Sequence, residues 1–173
     1  MKRWIFLLVL PVLLLSSCVF QTKPSVVPYP WNFIKRPSKE IKGIVECSVS
    51  CSNGTAVSGK ALLFVDGSRA LIRVYGTAGV YGGRIVIKDG ELFADRNLAP
   101  FAKYLRSPQQ LKSMLTGYIY EKSYKIITPY ELQFSFGKLT ETYIYAGRKI
   151  KEVVITDGIC SLKVKPIKVK EVK

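Results

Sequence analysis

The chain has 173 residues, with 27 Lys and Arg against 12 Asp and Glu, four Cys and no His. That length fits one domain, and 48% hydrophobic with 12% aromatic residues suffices for a core and excludes a disordered chain. The absence of His removes His-based triads, His proton shuttles and His-ligated metals. So few carboxylates in a chain of net charge +15 also argue against a paired-carboxylate hydrolase. The composition therefore points away from an enzyme, and no cofactor is expected.

Lys2 and Arg3 precede an apolar run from Trp4 to Leu15, followed by Ser16-Ser17-Cys18. A basic start, a short apolar stretch and small residues before a cut site make a secretory signal. The run is shorter than the roughly 20 apolar residues of a transmembrane helix. Leu15-Ser16-Ser17-Cys18 resembles the bacterial lipobox. That resemblance implies cleavage before Cys18, a diacylated thiol and an acylated new amine. Each buried CH₂ contributes about 0.8 kcal/mol, so several chains on one Cys anchor stably. Removal of residues 1–17 takes Lys2 and Arg3 with it, so the charge falls from +15 to +13 over the remaining 156 residues. Val19 rather than Asp follows the Cys. By resemblance to sorting rules in diderm bacteria, this implies the periplasmic face of the outer membrane.

Residues 18–40 hold Pro24, Pro28, Pro30 and Pro37 among Ser and Lys, the composition of an extended tether. Trp31 and Phe33 are expected to dock on the following domain, residues 41–173. There Val45, Cys47, Val49 and Cys51 alternate with polar residues, which is the period of a half-buried strand. Asn53-Gly54 turns into a second strand at Ala61–Val65. Asp66-Gly67 then leads to a third at Arg69–Tyr75, and a Gly-rich loop to a fourth at Arg84–Lys88. Asp89-Gly90 turns into Glu91–Ala94. Asp-Gly between apolar runs is a strong hairpin signal, because the central residues must tolerate positive φ.

The period changes after Leu98. Ser107-Pro108-Gln109-Gln110 has an N-cap, a proline at the first helical position and a capping-box Gln. Leu111, Met114 and Leu115 then share one helical face, and Gly117 suits the C-terminal cap. Pro100 to Leu105 suits another short helical turn. Strands follow at about 118–127, 130–136, 140–146, 149–156 and 159–165. The order strands, helix, strands predicts a mainly β domain, a long antiparallel sheet curled around one or two helices. A closed up-and-down barrel or a sandwich fits the same pattern. One short helix covers only part of such a concavity, leaving the rest for core side chains or a ligand.

Four stretches together resemble the LolA/LolB-like lipoprotein localisation factors, and the membrane-anchored receptor more than the soluble carrier. They are the lipobox, Ser68 to Gly79, Leu111-Lys112-Ser113-Met114-Leu115-Thr116-Gly117, and Ile155-Thr156-Asp157-Gly158 running into Leu162 to Lys165. Their order spans most of the mature chain. The resemblance implies an incompletely closed antiparallel β-barrel with a helical lid over an apolar cavity. It also implies acceptance of acyl chains of lipoprotein cargo from a soluble periplasmic carrier, and their insertion in the outer membrane. Alternation puts Leu63, Val65, Ile72, Val74, Ile85 and Ile87 on the inner wall, with Leu111, Met114 and Leu115 on the lid. The receptor's membrane-contact loop, with its exposed Leu, matches Ala78 here, beside Val80 and Tyr81. Its Trp- and Pro-containing segment after the helix is replaced by Tyr118-Ile119-Tyr120-Glu121. The rival expectation is an envelope lipoprotein that binds a protein or glycan, with its concavity filled.

Lys163, Lys165, Lys168 and Lys170 interleave with apolar residues, as in an edge strand protected from pairing. They also form an anion patch suited to anionic lipid headgroups. An exported chain is not expected to meet nucleic acid, and a monomer is expected. Cys47 and Cys51 are four residues apart on one strand, roughly 13 Å, too far to bond. An exported chain permits a disulfide of Cys160 with Cys47 or Cys51; three buried thiols are the alternative. Three sulfurs without His make a poor metal site. The Tyr118/Tyr120 and Tyr143/Tyr145 pairs fit strand propensity. Substitution Cys18→Ala should release the protein from membranes, measured by fractionation; an unchanged membrane fraction would refute lipidation.

Overall fold

The computed structural model of the chain describes residues 28–172. The signal segment, the lipobox and Cys18 lie outside these residues. Ten strands form one antiparallel sheet: β1 (Glu40–Cys51), β2 (Ala56–Asp66), β3 (Arg69–Gly76), β4 (Tyr81–Lys88), β5 (Glu91–Ala94), β6 (Lys125–Thr128), β7 (Glu131–Phe136), β8 (Leu139–Ala146), β9 (Lys149–Thr156) and β10 (Cys160–Val172). Their spatial order is β5-β4-β3-β2-β1-β10-β9-β8-β7-β6. The outermost strands β5 and β6 do not pair, so the barrel is incompletely closed. Among the described residues no helix is long and apolar enough to cross a membrane.

Most neighbours in the sheet are hairpin partners. Asp89 (φ 52°) and Gly90 (φ 85°) both take the left-handed conformation that a two-residue hairpin turn demands. The exception is the pairing of the first strand with the last, from Glu40 opposite Val172 to Cys51 opposite Cys160. It joins two five-stranded meanders into one sheet. A disulfide between Cys51 and Cys160 fastens its end, and Cys47 remains a free thiol.

The chain then has to travel from the β5 edge to the β6 edge. It does so across the concave face, through the turn Arg96–Leu98, the short helix α1 (Ala99–Ala102) and α2 (Pro108–Thr116). Helix α2 starts where the sequence places it. The Ser107 hydroxyl accepts from Gln110 N at 3.1 Å, Pro108 is the first helical residue, and Gly117 closes the end at φ 77°. Gln110 departs from a capping box: its Oε1 accepts from Arg106 N at 2.7 Å, not from Ser107 N.

Two expectations shift. Residues 118–124 are not a strand, and β6 begins only at Lys125. After Gly117 the chain is still leaving the helix, and the ladder to β7 starts with Lys125 opposite Gln133. At the other end β10 continues to Val172 past Pro166, which sits at a bulge where the register shifts between Ile44 and Val45. β10 pairs with β9 only from Ser161 to Val164, so its later half is an edge on that side. The tether docks through Trp31, as expected. Trp31 is buried, stacked on Tyr29 at 4.8 Å and packed on Tyr145 at 5.3 Å. Phe33 stays half exposed under the Arg148 guanidinium.

Gly43 is where the lid meets the floor. A Cβ there would lie 2.5 Å from a Leu115 methyl, so any side chain at this position would force the buried Leu115 to shift. Replacement Gly43→Val should cost about 1–3 kcal/mol by overpacking, seen as a lower urea midpoint; an unchanged midpoint would contradict this seating.

Candidate functional site

Inward-facing residues form rows across the sheet, because directly paired residues share a face. The lowest row, Ile41, Val65, Ala70 and Ile87, is fully buried. The next row pairs Gly43, Leu63, Ile72 and Ile85. Above it come Val45, Ala61, Val74 and Gly83, then Cys47, Gly59 and Gly76. Side-chain volume thus falls from one end of the barrel to the other. Gly59 has no room for more, since a Cβ would run into the Tyr75 carbonyl.

The missing volume is a cavity of about 270 Å³ between these upper rows and the lid. Its lining is apolar nearly throughout. The walls are Val45, Leu63, Ile72 and Ile85, the cover is Leu98, Phe101, Leu111 and Met114, and Val57 and Gly76 stand at the mouth. Of the nine residues expected to form the site, Leu63, Ile72, Val74, Ile85, Leu111 and Met114 line it. Val65, Ile87 and Leu115 do not: all three are buried in the solid part of the core, a row below or against Gly43. Cys47 borders the cavity, and burial raises the pKa of its thiol. At about 270 Å³ the cavity falls just below the usual range of roughly 300–1,000 Å³ for ligand sites.

The mouth lies at the end of the barrel that carries the β1–β2, β3–β4 and β9–β10 loops. Exposed apolar residues ring this end: Val57, Val80 (69% exposed), Tyr81 and Ile159. Ala78, Val80 and Tyr81 belong to the tight β3–β4 turn, in which Gly76 N donates to Val80 O at 2.9 Å. Ala78 is exposed but presents only a methyl group. All four lysines of the anion patch are exposed on β10.

Polar clips hold the lid around its perimeter. At the start, Asp95 Oδ2 accepts from Arg84 N at 2.8 Å, and Asn97 Nδ2 donates to the Gly82 carbonyl. Lys103 reaches Asp157 in the β9–β10 hairpin at 2.6 Å. The Asp157 carboxylate also accepts from the backbone N–H of Cys160 and Ile159, and these bonds with Lys103 hold its pKa well below the usual range. Lys112 is buried and donates to the carbonyls of Ser38 and Lys39. Desolvation there lowers its pKa.

The most buried clip was not foreseen from the sequence. Glu141 on β8 is only 1% exposed. Its Oε2 accepts from Arg106 Nη2 at 2.8 Å and Gln110 Nε2 at 3.2 Å, and its Oε1 from the Tyr143 hydroxyl at 2.6 Å. Burial, reinforced by Glu141, pushes the Tyr143 pKa well up, so this phenol remains a donor. The Arg106 guanidinium lies 3.4 Å from the centre of the Phe136 ring. A usable signal existed: Glu141 alternates in phase with Tyr143 and Tyr145, which places a carboxylate on an inward face.

The same architecture occurs in a solved structure. A LolA superfamily protein, NE2245 from Nitrosomonas europaea, superposes with a TM-score of 0.50 over 83% of this chain and 91% of that chain, at 10% identity. The fold is LolA/LolB-like. A second structure, of PNGF-II, covers 78% of this chain and 28% of its own at a TM-score of 0.25 and 10% identity. No protein-family profile matches the sequence, and no curated protein matches it either.

Removing one partner of the buried network leaves charge and polar groups without compensation. Replacement Glu141→Ala should therefore lower stability by about 3 kcal/mol. It should also speed amide exchange in residues 99–116 before the sheet opens. A loss confined to β8, with lid exchange unchanged, would show that Glu141 does not hold the lid.

Proposed function

We propose that this chain is an outer-membrane-anchored periplasmic lipoprotein that takes up acyl chains of other lipoproteins and helps insert them in the outer membrane. The observation that carries the reading is the apolar cavity of about 270 Å³ under the lid. Acyl chains outside a bilayer must be shielded from water, at about 0.8 kcal/mol per CH₂. Walls of Val, Leu and Ile with a Phe and Met cover supply that shelter, and Ser48, Ser58, Tyr75 and Asn97 are the few polar residues of the lining. The volume fits part of one chain, so uptake of a whole chain needs outward movement of the lid or extension through the mouth. No nucleotide is required, because transfer needs only a difference in affinity between donor and acceptor. The LolA/LolB-like fold supports the reading, as does the lipobox. Cys18 would supply the anchor, and a soluble carrier would be the donor.

A photocrosslinking amino acid at Ile72 or Met114 in cells should give adducts with lipid-modified proteins. The same group at Val65, below the cavity, should give none. Filling the cavity through Ala61→Phe should abolish the adducts while the thermal midpoint stays within a few degrees. Equal adducts from Ile72 and Val65, or undiminished adducts after Ala61→Phe, would reject acyl-chain binding in this cavity.

A further inference from the structure

The outer face of β10-β1-β2-β3-β4-β5 carries two rows of unusual composition. One row runs Lys170, Lys42, Phe64, Leu71, Val86 and Phe93. The other runs Lys168, Ile44, Leu62, Arg73 and Arg84. These residues alternate with those of the cavity wall, so they point away from it. Ile44, Phe64, Leu71 and Val86 are only partly buried, and Leu62 and Phe93 are 41% and 57% exposed. A groove of about 470 Å³ has Ile44, Leu62 and Phe64 along its middle, with Lys168 and Lys170 of β10 at one flank and Leu71 and Arg73 of β3 at the other. The Lys42 ammonium lies 5.1 Å from the centre of the Phe64 ring. The two rows hold five cations within the strands; Asp95, just past β5, stands opposite Arg84 and accepts from its backbone N–H, and Glu40, Asp66, Glu91 and Glu46 lie in the rows beyond.

We infer that this outer face docks on an anionic bilayer surface. The occupant follows from the charge and from the mixing of the two residue types. A lipid interface offers phosphates and the upper acyl region side by side, which suits cations interleaved with exposed Leu and Phe. A second copy of the face would set five cations against five. A soluble polyanion would satisfy the cations but leave the apolar groove in water. Lys168 and Lys170 extend past the point where β10 leaves β9, so both stand at a free edge with room for a flat partner. Docking this way lays the strands along the membrane. It is independent of whether the cavity holds an acyl chain.

Lysine footprinting tests it on the full chain anchored in vesicles. Acylation rates at Lys42, Lys168 and Lys170 are compared between phosphatidylcholine vesicles and vesicles containing phosphatidylglycerol. Lys122, Lys125 and Lys138, exposed elsewhere, serve as internal references. The expected result is slower labelling of the first three in anionic vesicles alone, with the references unchanged and the protection fading at high salt. Each cation near an anionic leaflet adds about fivefold to binding. The double variant Arg73→Gln/Arg84→Gln should therefore weaken docking about 25-fold and restore labelling. The variant Leu62→Glu should do the same without lowering the thermal midpoint. Equal labelling of all six lysines would overturn the proposal. So would protection by soluble heparin that anionic vesicles fail to reproduce, which would identify a polyanion as the partner.

Discussion

The pairing of β1 with β10 is the constraint on which the rest of the structure depends. Each meander of five strands forms from local hairpins, but the contact between them closes a loop of more than a hundred residues. Such closure is costly in chain entropy and slow to find. The long ladder from Glu40 to Cys51 and the disulfide to Cys160 offset that cost. Once the first and last strands sit in the middle, β5 and β6 must be the outer edges. The segment joining them then has no route except across the sheet, and the concave face is the one that needs cover. The lid is thus a topological consequence of the central pairing.

The same alternation gives the sheet two working surfaces. On β1 to β4, odd or even positions in turn face the cavity or the solvent, and a one-residue slip would exchange them. Inward positions shrink from Ile, Val and Leu to Ala and Gly toward the mouth, which leaves a hollow that no lid residue fills. Outward positions on the same strands carry Phe and Leu beside Lys and Arg, so exposed apolar groups cluster there instead of standing singly. Each face departs from the composition that stability alone would favour, and they do so on the same strands.

Much of the fold was legible because its signals are local. Hairpin turns need residues that tolerate positive φ, and the Asp-Gly pairs mark them. The helix 108–116 announces itself through Ser107, Pro108 and Gly117. The inner face of β2 to β4 was legible from period two, but period says nothing of depth. Val65 and Ile87 share a face with Leu63 and Ile85, yet one row separates core from cavity. Residues 118–124 show the opposite failure: Tyr and Ile favour strands, but propensity cannot supply a neighbouring strand to pair with. The row structure itself required the pairing of β1 with β10 and the registers between strands, which no single stretch of sequence encodes.

The cavity persists because the lid is held in two different ways. Near Gly43 the absence of a Cβ lets Leu115 settle onto the floor, and apolar packing closes that end. Toward the mouth the lid is held at its margins by hydrogen bonds: Asp95 and Asn97 to β4, Lys103 to Asp157, Arg106 and Gln110 to Glu141. Directional bonds fix a distance, whereas apolar contact would draw the lid down until the space was gone. A buried carboxylate is a poor source of stability compared with well-packed hydrophobic side chains. Its use here is geometric: Glu141 holds the start of α2 through Arg106 and Gln110, while Leu115 packs its end against Gly43. Weakening the Glu141 network would loosen the lid at its clipped margin while Gly43 and Leu115 still held the other end, which makes that end the natural pivot for any opening.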